Sequence, residues 1–289
     1  MKCLELAIPP LPSLLTVGHA VWMPGNCHFR RSFDVYDVIF VKRGAMYMQE
    51  DQAEYTVQAG QLLVLEPGKT HSGTTPCTEE TEVYWVHFKH PAALRTLNAE
   101  DIPWSAVLPQ GRDSDTLPSD QTMYLPKHGT VPFSRLQPTL DRMVQLHMQL
   151  SVEHSLQLQS LFCELLETLQ SEAKARPGSP SSALARETVG YLQKHWMEAF
   201  HSQKMEEALH FQFDHITRCM KKNTGMTPLQ YVHHLRINHA VILLEQTTYS
   251  IQEIAERVGI PNVSFFGRLF RERIGMPPGQ YRLRRQYQL

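Results

Sequence analysis

Two periods of hydrophobic and polar residues divide this chain. In the first third, apolar positions come in short runs or alternate. Val35-Tyr-Asp-Val-Ile-Phe-Val41 is dense in β-branched and aromatic residues and stops at Lys42-Arg-Gly44. Glu54–Gln58 alternates and ends at Ala59-Gly60; Leu62–Leu65 is wholly apolar and is closed by Glu66-Pro-Gly68; Glu82–Phe88 runs on toward Pro91. Strands at intervals of about 8–12 residues with Gly/Pro punctuation predict a β-barrel or sandwich. Residues 98–132, rich in Pro, Asp and Ser, read as irregular. The period then becomes helical. Leu136, Leu140, Met143, Val144 and His147 predict a helix starting near Pro138, and Leu158, Leu161, Phe162, Leu165, Leu166 and Leu169 predict another. This pair suits packing on the barrel, on each other or on a second subunit. Arg176-Pro-Gly-Ser-Pro-Ser-Ser182 breaks the pattern, so a linker is expected over 176–184, between domains at 1–175 and 185–289. Everything beyond it reads as helical.

At 289 residues, 42% of them hydrophobic, the chain suits two soluble domains. No run approaches the ~18–20 apolar residues of a membrane span, and the N-terminus carries no secretory pattern, so a cytoplasmic protein is expected. Cys3, Cys27, Cys77, Cys163 and Cys219 are odd in number and widely spread, which fits neither a disulfide framework nor a zinc finger. Net charge is −1, but it is unevenly spread. From Ala183 onward 14 Lys+Arg face 9 Asp+Glu, while residues 1–182 hold 14 and 20. A basic half on an acidic one points to nucleic-acid binding by the C-terminal part.

That part also repeats itself. Arg218-Cys-Met-Lys-Lys-Asn-Thr-Gly-Met-Thr-Pro-Leu-Gln-Tyr231 returns as Arg268-Leu-Phe-Arg-Glu-Arg-Ile-Gly-Met-Pro-Pro-Gly-Gln-Tyr281, at a fixed offset of 50 residues. Each copy reads as a basic helix, a glycine stop and a proline-started helix, so one supersecondary unit is used twice. In the second copy Ser250–Gly259 fits the first helix of a helix-turn-helix, with Ser250 and Glu253 as a capping box and Ala255 where the helices approach closely. Asn262–Ile274 fits the recognition helix, with Phe266, Leu269 and Phe270 inward.

The motifs Ile254-Ala-x-x-Val-Gly259, Ser264-Phe-Phe-x-Arg-x-Phe-Arg271, Gly275-Met-x-Pro278 and Gln280-Tyr-Arg282 resemble the C-terminal signature of AraC/XylS-type transcription regulators, over about 185–285. That resemblance implies two helix-turn-helix units joined by a long helix, here Pro228–Glu245. It implies base contacts from His215, Thr217 and Arg218 in the first unit and from Asn262, Val263, Ser264, Gly267 and Arg268 in the second. Lys221, Lys222 and Arg271 suit phosphates, which position without reading sequence. Arg218 and Arg268 are the best direct readers, since a guanidinium pairs with both acceptors of guanine. Asp214 suits a helix cap better than a base contact. The first unit departs from the pattern: a usual small Ala falls on Glu206 and a usual turn glycine on His210, so the Lys204–Leu209 helix and its turn are expected to be shifted or distorted.

Gly60 through Pro67-Gly68 to His71, with Trp85-Val-His-Phe88, resembles the cupin-like, sugar-sensing N-terminal domain of many such regulators, over about 15–125. The expected fold is therefore an all-β cupin-like barrel with a helical pair, followed by an all-α double helix-turn-helix domain. Ligand candidates are Arg30, Arg31, His71, Trp85 and His87, with Tyr36 and Tyr47 beside them. Where a metal-binding cupin carries two His and a Glu, alignment on Gly44 puts Arg31, Phe33 and Asp37; no metal or other cofactor is expected, leaving Asp37 and His71 as at most weak ligands. The expected partners are double-stranded DNA, a small-molecule effector of carbohydrate type, a second copy of the chain through the helical pair, and RNA polymerase, with no membrane. The competing readings are a cupin-type metal enzyme with an accessory DNA-binding domain and a ligand-independent DNA-binding dimer.

Overall fold

A computed structural model describes residues 1–106, 116–175 and 179–286. Contacts divide the chain into two compact units. The first holds the strands and two helices; the second holds seven helices among the described residues.

The strands are β1 (Lys2–Ile8), β2 (Ser13–Trp22), β3 (Arg31–Ser32), β4 (Tyr36–Arg43), β5 (Ala45–Glu50), β6 (Ala53–Gln58), β7 (Gln61–Leu65), β8 (Thr70–Thr75), β9 (Thr81–Lys89), β10 (Arg95–Asn98), β11 (Gln121–Pro126) and β12 (His128–Thr130). They form a five-stranded sheet ordered β12-β7-β4-β9-β2, a four-stranded sheet ordered β3-β8-β5-β6 and a three-stranded sheet ordered β10-β1-β11. The described pairings are antiparallel, and β4 sits between β7 and β9 with Ile39 opposite Leu63 and Trp85.

Alternation along β4 explains its apolar run. Ile39 and Val41 pack with Met46, Met48 and Val57 of the four-stranded sheet, which closes the barrel interior. Tyr36, Val38 and Phe40 point the other way, into a core shared with the helices α1 (Phe133–Met148) and α2 (Val152–Ala175). A strand buried on both faces loses the polar half of its alternation. The apolar stripes of α1 and α2, from Leu136 to Leu146 and from Leu158 to Leu169, are spent on this sheet and on each other. The stripe expected to pair two subunits is thus covered within one chain; Met148, Leu150, Val152 and Leu156 at the α1–α2 turn remain exposed.

Three boundaries differ from the sequence reading. Residues 98–132 contain β11 and β12, short strands whose Pro and Gly residues masked them; of this stretch, 107–115 lie outside the described residues. Helix α1 begins at Phe133, with Pro138 inside it and solvent-exposed. A proline there removes one backbone bond, and burial of the Leu136 stripe outweighs it. Of the expected linker, 176–178 lie outside the described residues, while 180–184 already belong to α3 (Pro180–His195), whose N-terminus Ser179 caps by accepting from Ser182 N.

The second unit continues with α4 (Ser202–Leu209), α5 (Phe213–Thr224), α6 (Pro228–Gln246), α7 (Ile251–Arg257), α8 (Val263–Ile274) and α9 (Pro278–Gln286). Helix α6 has no polar side along its length because it serves two cores. Tyr231 and Val232 join Ile216 and Met220 of α5, whereas Ile237, Ala240 and Leu244 join Ile254, Phe266 and Phe270 of the second helix-turn-helix.

Candidate DNA interface and ligand cavity

The fifty-residue repeat is repeated geometry. Gly225 and Gly275 end α5 and α8 in the left-handed conformation, φ 76° and 86°, and donate to the carbonyls of Lys221 and Arg271. A Cβ would strain that cap, so glycine is favoured at both positions. Pro228 and Pro278 then start α6 and α9. Tyr231 Oη accepts from Gln193, and Tyr281 Oη donates to Glu245 at 2.6 Å.

The first helix-turn-helix is intact rather than distorted, and its two odd residues explain how. His210 takes the left-handed conformation at φ 58° and ends α4 by donating its N–H to the Glu206 carbonyl at 2.8 Å. That costs roughly 1–2 kcal/mol relative to glycine. Gln212, the N-cap of α5, provides no side-chain cap; instead the Glu206 carboxylate accepts from Phe213 N at 2.6 Å. An anion at a helix N-terminus is stabilising, so the residue that breaks the small-residue pattern supplies the missing cap. In the second copy Asn262 does this itself, accepting from Phe265 N at 2.9 Å. Asp214 is not the cap: it sits in the first turn of α5, exposed.

Of the residues expected to face DNA, His215, Arg218, Lys221 and Lys222 on α5 and Asn262, Val263, Ser264, Arg268 and Arg271 at α8 are exposed. Thr217 and Gly267 are half-buried, and nothing lies within 4 Å of where a Gly267 side chain would start. Arg268 lies over the Phe265 ring at 5.4 Å, and Arg218 donates to its own helix at Asp214 O, 3.4 Å away. Each helix therefore presents a basic, accessible face opposite its apolar one. Arg236 holds the frame behind them. Buried on α6, it donates to the carbonyls of Trp196 and Glu198 after α3 and of Gly259 in the second turn, at 2.8, 2.5 and 2.8 Å.

Between the two barrel sheets lies a cavity of about 270 Å³ lined by Trp22, His28, Phe29, Arg31, Asp37, Ile39, Met46, Trp85 and His87 among others. Trp85 lies flat over Gly18 of β2, where a Cβ would come within 2.1 Å of the ring; the missing side chain makes room for the indole. At one end Arg31 donates from Nε to His71 Nε2 (2.9 Å) and from its terminal nitrogen to Asp37 Oδ2 (2.7 Å). His87 Nε2 stands 3.3 Å from the same Asp37 oxygen. Burial pushes the His71 imidazole down to about 4, helped by the neighbouring His28 and Arg31 charges, and burial also lowers His28. Buried Asp37 Oδ1, His71 Nδ1 and His87 Nε2 find no hydrogen-bond partner among the described residues.

Sequence-predicted Arg31, Trp85 and His87 line this cavity, and His71 is buried directly behind Arg31. Three candidates are displaced. Arg30 is exposed and outside the lining, and Tyr36 sits on the opposite face of β4, in the helix-side core, where its hydroxyl donates to Pro91 O. Tyr47 is likewise on the other side of its strand from Met46 and Met48. Sequence reasoning missed Trp22, His28 and Phe29; alternation along β2 carries Ala20 and Trp22 to the face of Gly18, but the His28–Phe29 loop has no period to read.

Comparison with known proteins agrees with this layout. A "Helix-turn-helix domain" model matches residues 205–284, and an "AraC-like ligand binding domain" model matches residues 18–179. The "Uncharacterized HTH-type transcriptional regulator YisR" of Bacillus subtilis (strain 168) is 34% identical over 286 residues, covering 98% of this chain and 97% of the relative. The "MmsAB operon regulatory protein" of Pseudomonas aeruginosa is 23% identical over 287 residues, 97% of this chain and 86% of the relative. The solved DNA-binding domain of AdpA, in complex with a target DNA, is 27% identical and covers 36% of this chain and 94% of its own, with a TM-score of 0.34. With an AraC-like ligand-binding domain followed in sequence by two helix-turn-helix units, the chain belongs to the AraC family of DNA-binding transcription regulators.

Proposed function

We propose that this regulator responds to a small uncharged carbohydrate held in the barrel and acts in the cytoplasm as a homodimer. The observation that carries the ligand class is the pair of buried atoms Asp37 Oδ1 and His87 Nε2, which make no hydrogen bond among the described residues and belong to residues lining an aromatic-walled cavity. Such atoms are costly to leave unmade, and ligand hydroxyls, which both donate and accept, satisfy them. Arg31 and Asp37 cancel in charge and His71 is neutral near pH 7, so neither an anion nor a cation is favoured. Trp22 and Trp85 offer flat apolar faces to the C–H side of a ring. About 270 Å³ is below the ~300–1,000 Å³ of drug-sized sites, which favours a monosaccharide.

On the DNA side, His215, Thr217, Arg218, Asn262, Val263, Ser264, Gly267 and Arg268 read bases, while Lys221, Lys222 and Arg271 hold phosphates. Two copies tethered at the N-terminal unit gain affinity for paired sites, and Met148, Leu150, Val152 and Leu156 form an exposed apolar group at the α1–α2 turn that suits that contact. A thermal-shift screen of monosaccharides without added metal tests the effector: one sugar raises the melting temperature of the wild type and not of Trp85→Ala. A panel in which only organic acids or only fatty acids shift the wild type would sink the carbohydrate reading.

A further inference from the structure

We propose that His28, Asp37 and His71 form a latent site for a divalent transition metal of the zinc or cobalt class, and that the Arg31 guanidinium is the cation that plugs it. One donor atom from each of the three residues lies within 4.8 Å of the other two. They come from three separate places: the loop after β2, the start of β4 and the start of β8. Asp37 and His71 are buried, at 1% and 3% exposure. Two imidazoles and a carboxylate with an open fourth position make a donor set that suits zinc or cobalt. His28 is already oriented for it. Its Nδ1 sits 2.8 Å from the Phe29 carbonyl, which can only accept, so Nδ1 carries the proton and Nε2 keeps the lone pair. Asp37 Oδ1 has no hydrogen-bond partner among the described residues.

Arg31 explains why the cluster is held closed. Its guanidinium spans the other two donor atoms, Nε to His71 Nε2 and the terminal nitrogen to Asp37 Oδ2, and Phe33 stacks over it at 4.4 Å. A carboxylate this deeply buried requires a positive partner. Arg31 provides one, and by accepting its hydrogen bond His71 Nε2 is committed away from any ion. A divalent ion entering the wild type has to displace the guanidinium and is repelled by it. Without Arg31, the buried Asp37 carboxylate lacks its cationic partner, and a metal ion held with the two imidazoles supplies one.

The test uses the full chain with Co²⁺, followed by visible absorption, and Zn²⁺, followed by equilibrium dialysis. Arg31→Met is expected to bind one equivalent at least tenfold more tightly than wild type, and Arg31→Met/His71→Ala to lose that gain. The double variant matters because the chain has 15 histidines and some background binding is expected. Arg31→Lys, which keeps a cation, stays with the wild type. If Arg31→Met is unfolded without metal, refolding on one equivalent of Zn²⁺ supports the plug, and remaining unfolded overturns it. Wild-type affinity in a folded Arg31→Met, or a gain that survives His71→Ala, also overturns it. Metal is measured without effector or DNA, so failure here leaves the carbohydrate reading standing.

Discussion

Arg236 makes three charge-assisted hydrogen bonds to main-chain carbonyls that belong to neither of its neighbours in sequence. Truncation removes all three and leaves buried acceptors unmet. Arg236→Ala is therefore expected to cost about 3 kcal/mol or more of C-terminal stability. Denaturant unfolding followed by circular dichroism measures it, and a loss under about 1 kcal/mol would contradict the role. The reverse holds at His210, whose left-handed backbone carries a Cβ. His210→Gly is expected to stabilise by about 1 kcal/mol, less the entropy that glycine adds to the unfolded chain. At the DNA face, Arg268→Ala is expected to weaken specific binding by about 1–3 kcal/mol and relax one base position, whereas Lys222→Ala weakens all sequences and flattens the salt dependence. An unchanged base preference in Arg268→Ala removes α8 from the groove.

Elements differ in how much of themselves they write into sequence. The double reader was legible because its punctuation is stereochemical: Gly225, Gly275, Pro228 and Pro278 are favoured by φ angles and missing N–H groups, whatever the surroundings. The apolar runs in β4 and β7 were legible, but β5 and β8 were not. β8, Thr70-His-Ser-Gly-Thr-Thr75, carries no large apolar residue and is held by pairing with β5 and β3. Glu206 illustrates a different limit. Its departure from pattern was visible, but its compensation, a carboxylate reaching Phe213 N across the turn, exists only in three dimensions. The cavity was half legible for the same reason: alternation orients Trp85 and His87, while His28 and Phe29 arrive by way of a loop.

One packing device ties β5, β7 and β12 together. Buried Lys127 donates to Glu50 at 2.5 Å and to Glu66 at 3.0 Å, and Lys69 donates to Glu66 at 2.7 Å. Burial alone would raise Glu66, but the bonds from Lys69 and Lys127 outweigh it and hold the carboxyl below its ordinary value. A depressed folded pKa means that its stabilisation is fully present above the unfolded value of about 4.3 and is lost as pH falls through the folded one. Lys127→Met is thus expected to lower the melting temperature strongly at pH 7, with the gap to wild type narrowing as pH drops below about 4. A constant gap across that range would show that the carboxylates are not its partners.

For the whole molecule, sensing and reading are expected to separate. Trp85→Ala abolishes the effector's influence on DNA binding while leaving binding itself, since its contacts are with Gly18 and the cavity. A gel-shift titration with and without effector checks both halves. The two readers are not expected to contribute equally. Arg218 bonds back to Asp214 O, and the exposed Asp214 carboxylate beside it repels phosphate, whereas Arg268 rests on Phe265. Selection from random DNA is expected to return two blocks about 10 base pairs apart, with the one lost in Arg268→Ala the more stringent. A single block, or a stringent block lost only in Arg218→Ala, would reverse that order.

Helix α6 enters both C-terminal cores, and Arg236 pins its middle to the second turn. At 19 residues it spans roughly 28 Å. The pair of readers is therefore a ruler of fixed length. Promoters that drift under such a protein are free to exchange bases within either block, one contact at a time. They are not free to gain or lose a base pair between the blocks, because each such step rotates one site by about 35° around the duplex, away from its reader. Across a set of target promoters, the interval is the conserved letter.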